Sequence, residues 1–261
     1  MKLEATGSQQ LQQLERVKSE QLQKLATGKR VNSAADDAAA LQIIDRLQAQ
    51  QNGQYQAIRN AYDGISYTQI AESAYSGISE SVQRIETLSL QAGNGALGDT
   101  ERSVLQNEII ELQQGIQDTL SNTTFAGQNL FSGEEVHFQI GADAEQTQSV
   151  TSNDGSFLNA VLAIDVSTKA GAQAALDVTK QARDEIDINR TALGASQNAL
   201  AAGVRNLTQQ NVATAASQSR IQDADYAQLI AQKTSNDILS QASIALRGQA
   251  NQQASSVLSL L

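Results

Sequence analysis

Not one proline interrupts the 261 residues of this chain. Proline ends helices because it lacks the amide hydrogen and clashes with the turn before it, and soluble chains ordinarily carry about 5% of it. The composition otherwise leans on 39 Ala and 36 Gln, and Ala above all favours helix. Bulk is what the chain lacks: aromatics make up 3% and Trp is absent. Long helices packed along narrow stripes are what such a sequence can build, and a thick globular core is what it cannot.

The apolar spacing agrees. Over 8–29 the residues Leu11, Leu14, Val17, Leu22 and Leu25 fall at helical intervals in a Gln-, Lys- and Ser-rich background. So thin a stripe cannot hold a helix unaided. Turn and cap formers at Arg30-Val31-Asn32-Ser33-Ala34-Ala35-Asp36-Asp37 interrupt it. Helix is then expected over 38–92, with Ile58, Tyr62, Ile65, Ile78, Val82, Ile85 and Leu88 at spacings of three and four; some 50 residues of helix would run about 75 Å. Gly93–Gly98 breaks it, and a second helix over 99–122 carries Leu105, Ile109, Leu112, Ile116 and Leu120 on one face. Val136, Phe138 and Ile140 alternate with His137 and Gln139, which predicts a β-hairpin over about 135–151. Leu158 to Val166 reads as a short strand or irregular loop. From 168 to 218 helix returns, with Ile186, Leu193, Leu200 and Leu207 seven residues apart. A last Ala-, Gln- and Ser-rich helix ends in Val257-Leu258-Ser259-Leu260-Leu261. The fold class is therefore mainly α, a long antiparallel helical rod of coiled-coil character with a small β-hairpin.

Several chemistries fall away. No apolar run approaches the roughly 18 residues of a membrane span, and Met1-Lys2-Leu3-Glu4 opens on polar sequence with no apolar stretch of a secretory signal. Absence of Cys removes thiolate metal sites, disulfides and cysteine nucleophiles, and a net charge of −10 argues against nucleic acid. Gly93-x-Gly95-x-x-Gly98 fits the dinucleotide pattern but follows a helix where that chemistry needs a strand. His137, the one histidine, has no readable catalytic partner. The pairs Asp36/Asp37, Asp143/Glu145 and Asp223/Asp225 lack calcium-loop spacing and read as caps and solvated loop charge. Sequons at Asn122, Asn189 and Asn206 fall in or beside predicted helices. No enzyme, no cofactor and no metal site is expected. Gln-rich helix surfaces suit the packing of many identical copies, since amides make polar contacts without accumulating charge.

Five segments, in order along the chain, resemble bacterial flagellin. They are Lys29-Arg30-Val31-Asn32-Ser33-Ala34-Ala35-Asp36-Asp37-Ala38-Ala39, Arg59-Asn60-Ala61-Tyr62-Asp63-Gly64-Ile65-Ser66, Thr124-Phe125-Ala126-Gly127-Gln128-Asn129-Leu130, Ser219 to Ala227, and Gln249 to Leu261. The resemblance implies a short flagellin without the variable outer domains. Residues 1–37 and 219–261 would form the two parts of the inner-tube helical domain, and 38–218 the rod. The first ten residues depart from the family's usual opening. Structural alternatives within the same resemblance are a hook–filament junction protein and a flagellin-like adhesin or polysaccharide-binding protein.

The resemblance also implies partners: further copies of the chain in a helical homopolymer, a flagellin export chaperone, the flagellar type III export apparatus, and the filament cap and junction proteins. It places the protein outside the cell in the flagellum, with neither nucleic acid nor membrane as partner. The chaperone and polymerisation segment would contain Tyr226, Leu229, Ile230, Ile238, Leu246, Val257, Leu258 and Leu261. In some members Toll-like receptor 5 reads a rod patch, and Gln83, Arg84, Leu88, Leu105 and Glu108 sit at matching positions, while Leu112 replaces the family's arginine. For Leu88, Leu105 and Leu112 helix packing is the competing reading.

Overall fold

The structure, a computed structural model, describes residues 2–151 and 154–258. Its order is α1 (Lys2–Thr27), α2 (Ala34–Ala92), α3 (Asp99–Asn122), β1 (Thr124–Phe125), β2 (Gln128–Asn129), β3 (Glu135–Gln139), β4 (Thr147–Thr151), α4 (Asn159–Leu162), α5 (Lys169–Gln222) and α6 (Tyr226–Leu258). These divide into two compact units, one of residues 1–51 with 212–261, the other of residues 52–211.

In the unit formed by the chain ends, α1 stops at Gly28, whose left-handed backbone (φ 68°) suits the residue just past a helix. The chain then pairs with the stretch following α5: the Arg30 amide donates to the Gln222 carbonyl at 2.6 Å and the Ala224 amide to the Gly28 carbonyl at 3.0 Å. Asp36 and Asp37 are caps, as their positions predict. The Asp36 carboxylate accepts the Asn32 and Ser33 amides at 3.1 and 3.0 Å, and these bonds hold its pKa below the ordinary value. Asp37, in extended backbone, accepts the Ala40 amide at 2.9 Å and starts the continuous part of α2. The apolar core of this unit is small: Val31, Ala40 and Ile44, flanked by Leu41 and Ile221. Of the α1 stripe, Leu14 and Leu25 are half-buried, Val17 and Leu22 are exposed, and the Leu11 side chain lies outside the described residues.

The second unit holds the main core. Ile78, Val82, Ile85 and Leu88 of α2 meet Ile109 and Ile116 of α3, and Ala175, Ala182, Ile186, Leu193 and Leu200 of α5. Alanines fill much of the α5 seam, letting the helices approach closely. Pairing is antiparallel, with Arg183 on Glu86 at 2.8 Å and the Gly64 position beside Leu200. Gly64 is glycine for a steric reason: a Cβ there would stand 3.0 Å from Leu200 and 3.1 Å from Phe138.

Two local expectations are corrected. Ile58, Tyr62 and Ile65 do not form the buried side of α2; Gln54, Ala57, Ala61 and Gly64 do, Ile58 and Ile65 are half-buried, and Tyr62 is exposed. Spacing located a stripe but chose the larger side chains, whereas the close neighbours here demand small ones. Leu158 to Val166 is neither strand nor irregular loop throughout. A 3₁₀ turn (Ser156–Leu158) runs into α4, burying Leu158, Val161 and Ile164 at intervals of three. Gln113 of α3 donates to the Val161 and Ile164 carbonyls at 2.9 and 3.1 Å, closing the ends of that turn.

β3 and β4 pair antiparallel from Glu135 opposite Thr151 to Gln139 opposite Thr147, and His137 is on the exposed face. The tight turn between β1 and β2 puts Ala126 at φ 50° and Gly127 at φ 84°, the double left-handed geometry of a two-residue hairpin loop.

Tyr75 packs edge-on against Phe131 at 5.2 Å, and its hydroxyl finds no hydrogen-bond partner among the described residues. Burial pushes its pKa up to about 12. A tyrosine in the unfolded chain ionises near pH 10, so between those values the unfolded state loses its proton first and folding weakens by about 2–3 kcal/mol. Tyr75→Phe is expected to be neutral or slightly stabilising at pH 7 and to flatten the alkaline loss. Thermal melts at pH 7 and 11 check both; an unchanged alkaline slope would contradict the assignment.

Candidate assembly surface

α6 starts behind Asp225, whose carboxylate accepts the Ala227 and Gln228 amides at 3.0 and 3.1 Å. Its half-buried side comprises Leu229, Lys233, Asn236, Asp237, Ser240 and Ser243, and this side meets α1. Lys18 pairs with Asp237 at 2.8 Å, Lys233 pairs with the same carboxylate at 2.8 Å, and Asn236 donates to Gln21 at 3.1 Å. The two ammonium groups hold the Asp237 carboxyl below its ordinary range.

The opposite side of α6 carries Ala227, Ala231, Ile238, Ala242 and Ala245, with Thr234, Ser235 and Gln249 among them and Leu246 at its edge, all exposed. Ile238 is 61% and Leu246 67% accessible. An ordinary amphipathic helix buries its apolar face and shows water its polar one. α6 departs from this: a mainly polar side meets α1, while Ile230, Ile238, Leu239, Ile244 and Leu246, spread round the rest of the helix, stay in solvent, an exposure that marks an interaction surface. Among the segment residues named from the sequence, Tyr226, Ile230, Ile238 and Leu246 are exposed and Leu229 is half-buried toward α1. Val257 and Leu258 belong to α6 but their side chains, like Leu261, lie outside the described residues.

The five residues of the other candidate patch divide between surface and core. Gln83 and Arg84 are exposed on α2, and Arg84 reaches Glu108 on α3 through Nε at 2.8 Å and Nη2 at 2.5 Å. Leu105 is half-buried against the core, and Leu88 is 1% exposed within it. The structure therefore joins Arg84 to Glu108 across α2 and α3, places Gln83 in the groove between α2 and α5 beside Glu86 and Arg183, and sets Leu88 within the core.

Gly93–Gly98 forms the turn between α2 and α3, with no strand before it. The residue that organises this turn was not singled out by its motif. Arg102, only 7% exposed, donates through Nε to the Ala92 carbonyl at 2.9 Å and through Nη2 to the Asn94 carbonyl at 3.1 Å. It satisfies carbonyls that the end of α2 leaves open. Charged residues are rarely buried, and nothing in the spacing distinguishes this arginine from its exposed neighbours. Among the described residues, no helix is long and apolar enough to cross a membrane, and no group of three or more His, Asp or Glu is placed to hold a metal.

These surfaces can be set beside known proteins. Residues 3–135 match the bacterial flagellin N-terminal helical region, and residues 176–261 the bacterial flagellin C-terminal helical region. Flagellin of Halalkalibacterium halodurans is 35% identical over 245 residues, covering 92% of this chain and 90% of its own. In fold, the chain is similar to the crystal structure of Bacillus cereus flagellin (TM-score 0.54, 24% identity, 61% of this chain and 94% of that one). It is also similar to a structure described as a flagellar hook-associated protein from Vibrio parahaemolyticus (TM-score 0.64, 16% identity, 72% of this chain and 100% of that one). Both family regions, in order and together spanning most of the sequence, place the chain in the bacterial flagellin family.

Proposed function

We propose that this chain is the structural subunit of a bacterial flagellar filament, working by packing rather than by making or breaking bonds. The observation that carries the reading is α6, whose large apolar side chains stay in solvent although its polar side is already partnered. A second apolar partner is what that geometry calls for, and in a homopolymer further copies of the chain supply it. The hook-associated likeness concerns the fold alone. Identity of 35% along nine-tenths of a flagellin favours the filament over its junction.

In this reading residues 1–37 and 219–261 pair as the inner-tube helices and 38–218 form the rod. The subunit leaves the cell through the flagellar type III apparatus, its segment 226–261 held beforehand by an export chaperone. It then adds beneath the cap protein of an extracellular filament that starts on junction proteins. A Toll-like receptor 5 surface would consist of Gln83, Arg84 and Glu108 with the edge of Leu105, while Leu88 lies within the core.

Negative-stain electron microscopy of the purified protein, with ammonium sulfate or filament seeds, tests the main reading. Long uniform filaments are expected from the full chain. A chain lacking residues 226–261 is expected to stay helical and soluble and to form none. Normal filaments from that deletion would refute the role given to α6.

A further inference from the structure

In the unit 52–211, one side of α2 is left open. Tyr55, Arg59 and Tyr62 succeed one another at intervals of four and three, which sets them in a single ridge. The two tyrosines are 51% and 55% exposed. The ridge lies roughly opposite Gly53 and Gly64, whose positions abut Ala142 and Phe138 of the hairpin region. Arg59 is braced, its Nη2 donating to Gln56 at 2.5 Å, and among the described residues no carboxylate pairs with it. Tyrosines flanking a pre-positioned arginine are the composition of an interface anchor.

The same unit holds a complementary recess. A groove of about 290 Å³ runs between the hairpin and α5, lined by Ile140, Gln146 and Thr147 on one side and Gly203, Asn206 and Leu207 on the other. Gly203 adds no side chain to it, and a Cβ there would come within 3.5 Å of Ile140, an ordinary contact. The groove's α5 wall reaches from Gly203 to Gln210, seven helical steps, as does the ridge from Tyr55 to Tyr62; both are about 10 Å long. The hairpin turn beside the groove presents Asp143 and Glu145, both exposed, and Gln146 donates to the Asp143 carboxylate at 3.2 Å. Arg205, the cation of this stretch of α5, lies on another side of the helix.

The aromatic ridge matches in length a groove lined by Ile140 and Leu207 among polar side chains, and the ridge's cation matches the carboxylates beside that groove. We propose that the Tyr55–Arg59–Tyr62 ridge of one subunit seats in the hairpin–α5 groove of a second copy, with Arg59 between Asp143 and Glu145. This rests on the filament reading and names one of its contacts. Ridge and groove lie on different sides of one unit, so the contact is head-to-tail, the kind that propagates into rings or helical filaments rather than closing as a two-fold dimer.

Filament assembly of the full chain with a charge swap is the test, read as the critical concentration for polymerisation by sedimentation. Arg59→Glu, and separately Asp143→Arg with Glu145→Arg, should each raise it about tenfold or more, while the three substitutions together restore it toward the wild-type value. Tyr55→Ala with Tyr62→Ala should raise it by at least as much. Restoration by the combined swap separates a contact between copies from damage to the fold. If the swaps and the tyrosine variant polymerise like wild type, or if the combined swap stays as poor as its parts, the ridge contact is wrong and the filament reading stands. A wild-type chain that never polymerises overturns both.

Discussion

A chain carrying aspartate at both Ile238 and Ala242 forms no filaments where the wild-type chain polymerises, and its unit 52–211 keeps its helical signal and melting temperature. Both positions are on the exposed side of α6, away from the seam with α1. In the free subunit the new carboxylates stand in water and cost little, since surface changes of this kind fall within about 0.5 kcal/mol. If this side of α6 packs against another copy as proposed, the carboxylates are buried there at several kcal/mol each without compensation. The effect repeats at every subunit, so polymerisation is abolished and not merely slowed. Electron microscopy and sedimentation read the loss, and circular dichroism guards against misfolding. Filaments of normal length from this variant would show that the exposed side of α6 is not an assembly surface.

The second large effect separates packing from recognition at Leu88. At 1% exposure within the core, Leu88→Ala should destabilise the unit 52–211 by about 2–5 kcal/mol. For a unit of that size the melting temperature falls about 2–4 °C for each kcal/mol. Gln83→Ala, five positions earlier and exposed, should stay within about 0.5 kcal/mol of wild type. Thermal denaturation of the two variants settles the comparison. If Leu88→Ala melts with the wild-type protein, Leu88 is not the core residue its burial indicates.

The long-range architecture was readable because it follows from periodicity. Ile186, Leu193, Leu200 and Leu207 stand on one seam, and all four are buried. Val136 and Phe138, alternating with exposed His137, pair across the hairpin as spacing foretold. What eluded the sequence was which stripe of a helix meets a close neighbour. Around 54–64 the buried positions are Gln, Ala and Gly, because a hairpin and a second helix crowd that side, and size alone would have chosen Tyr62. The same blindness hid Arg102, whose burial depends on two carbonyls brought to it by the turn before α3. In α6, apolar residues occur nearly all round. Only the position of α1 reveals that the polar side is the one already used.

The polar character of the α1–α6 seam has a consequence for timing. Exposed ion pairs and amide contacts of that kind are worth about 0–1 kcal/mol each, so the seam holds the helices side by side without holding them firmly. Local opening there lies far below the free energy of unfolding the main core, and amide hydrogens of α6 should exchange long before those of α2 around Ile85. A subunit in solution thus continually samples states with α6 loose, ready to trade one set of neighbours for another. Starting a new polymer requires several such loosened helices to find each other at once, whereas an existing end already presents partners. Growth on ends therefore outpaces spontaneous nucleation, and a concentrated pool of free subunits can persist until an end is offered.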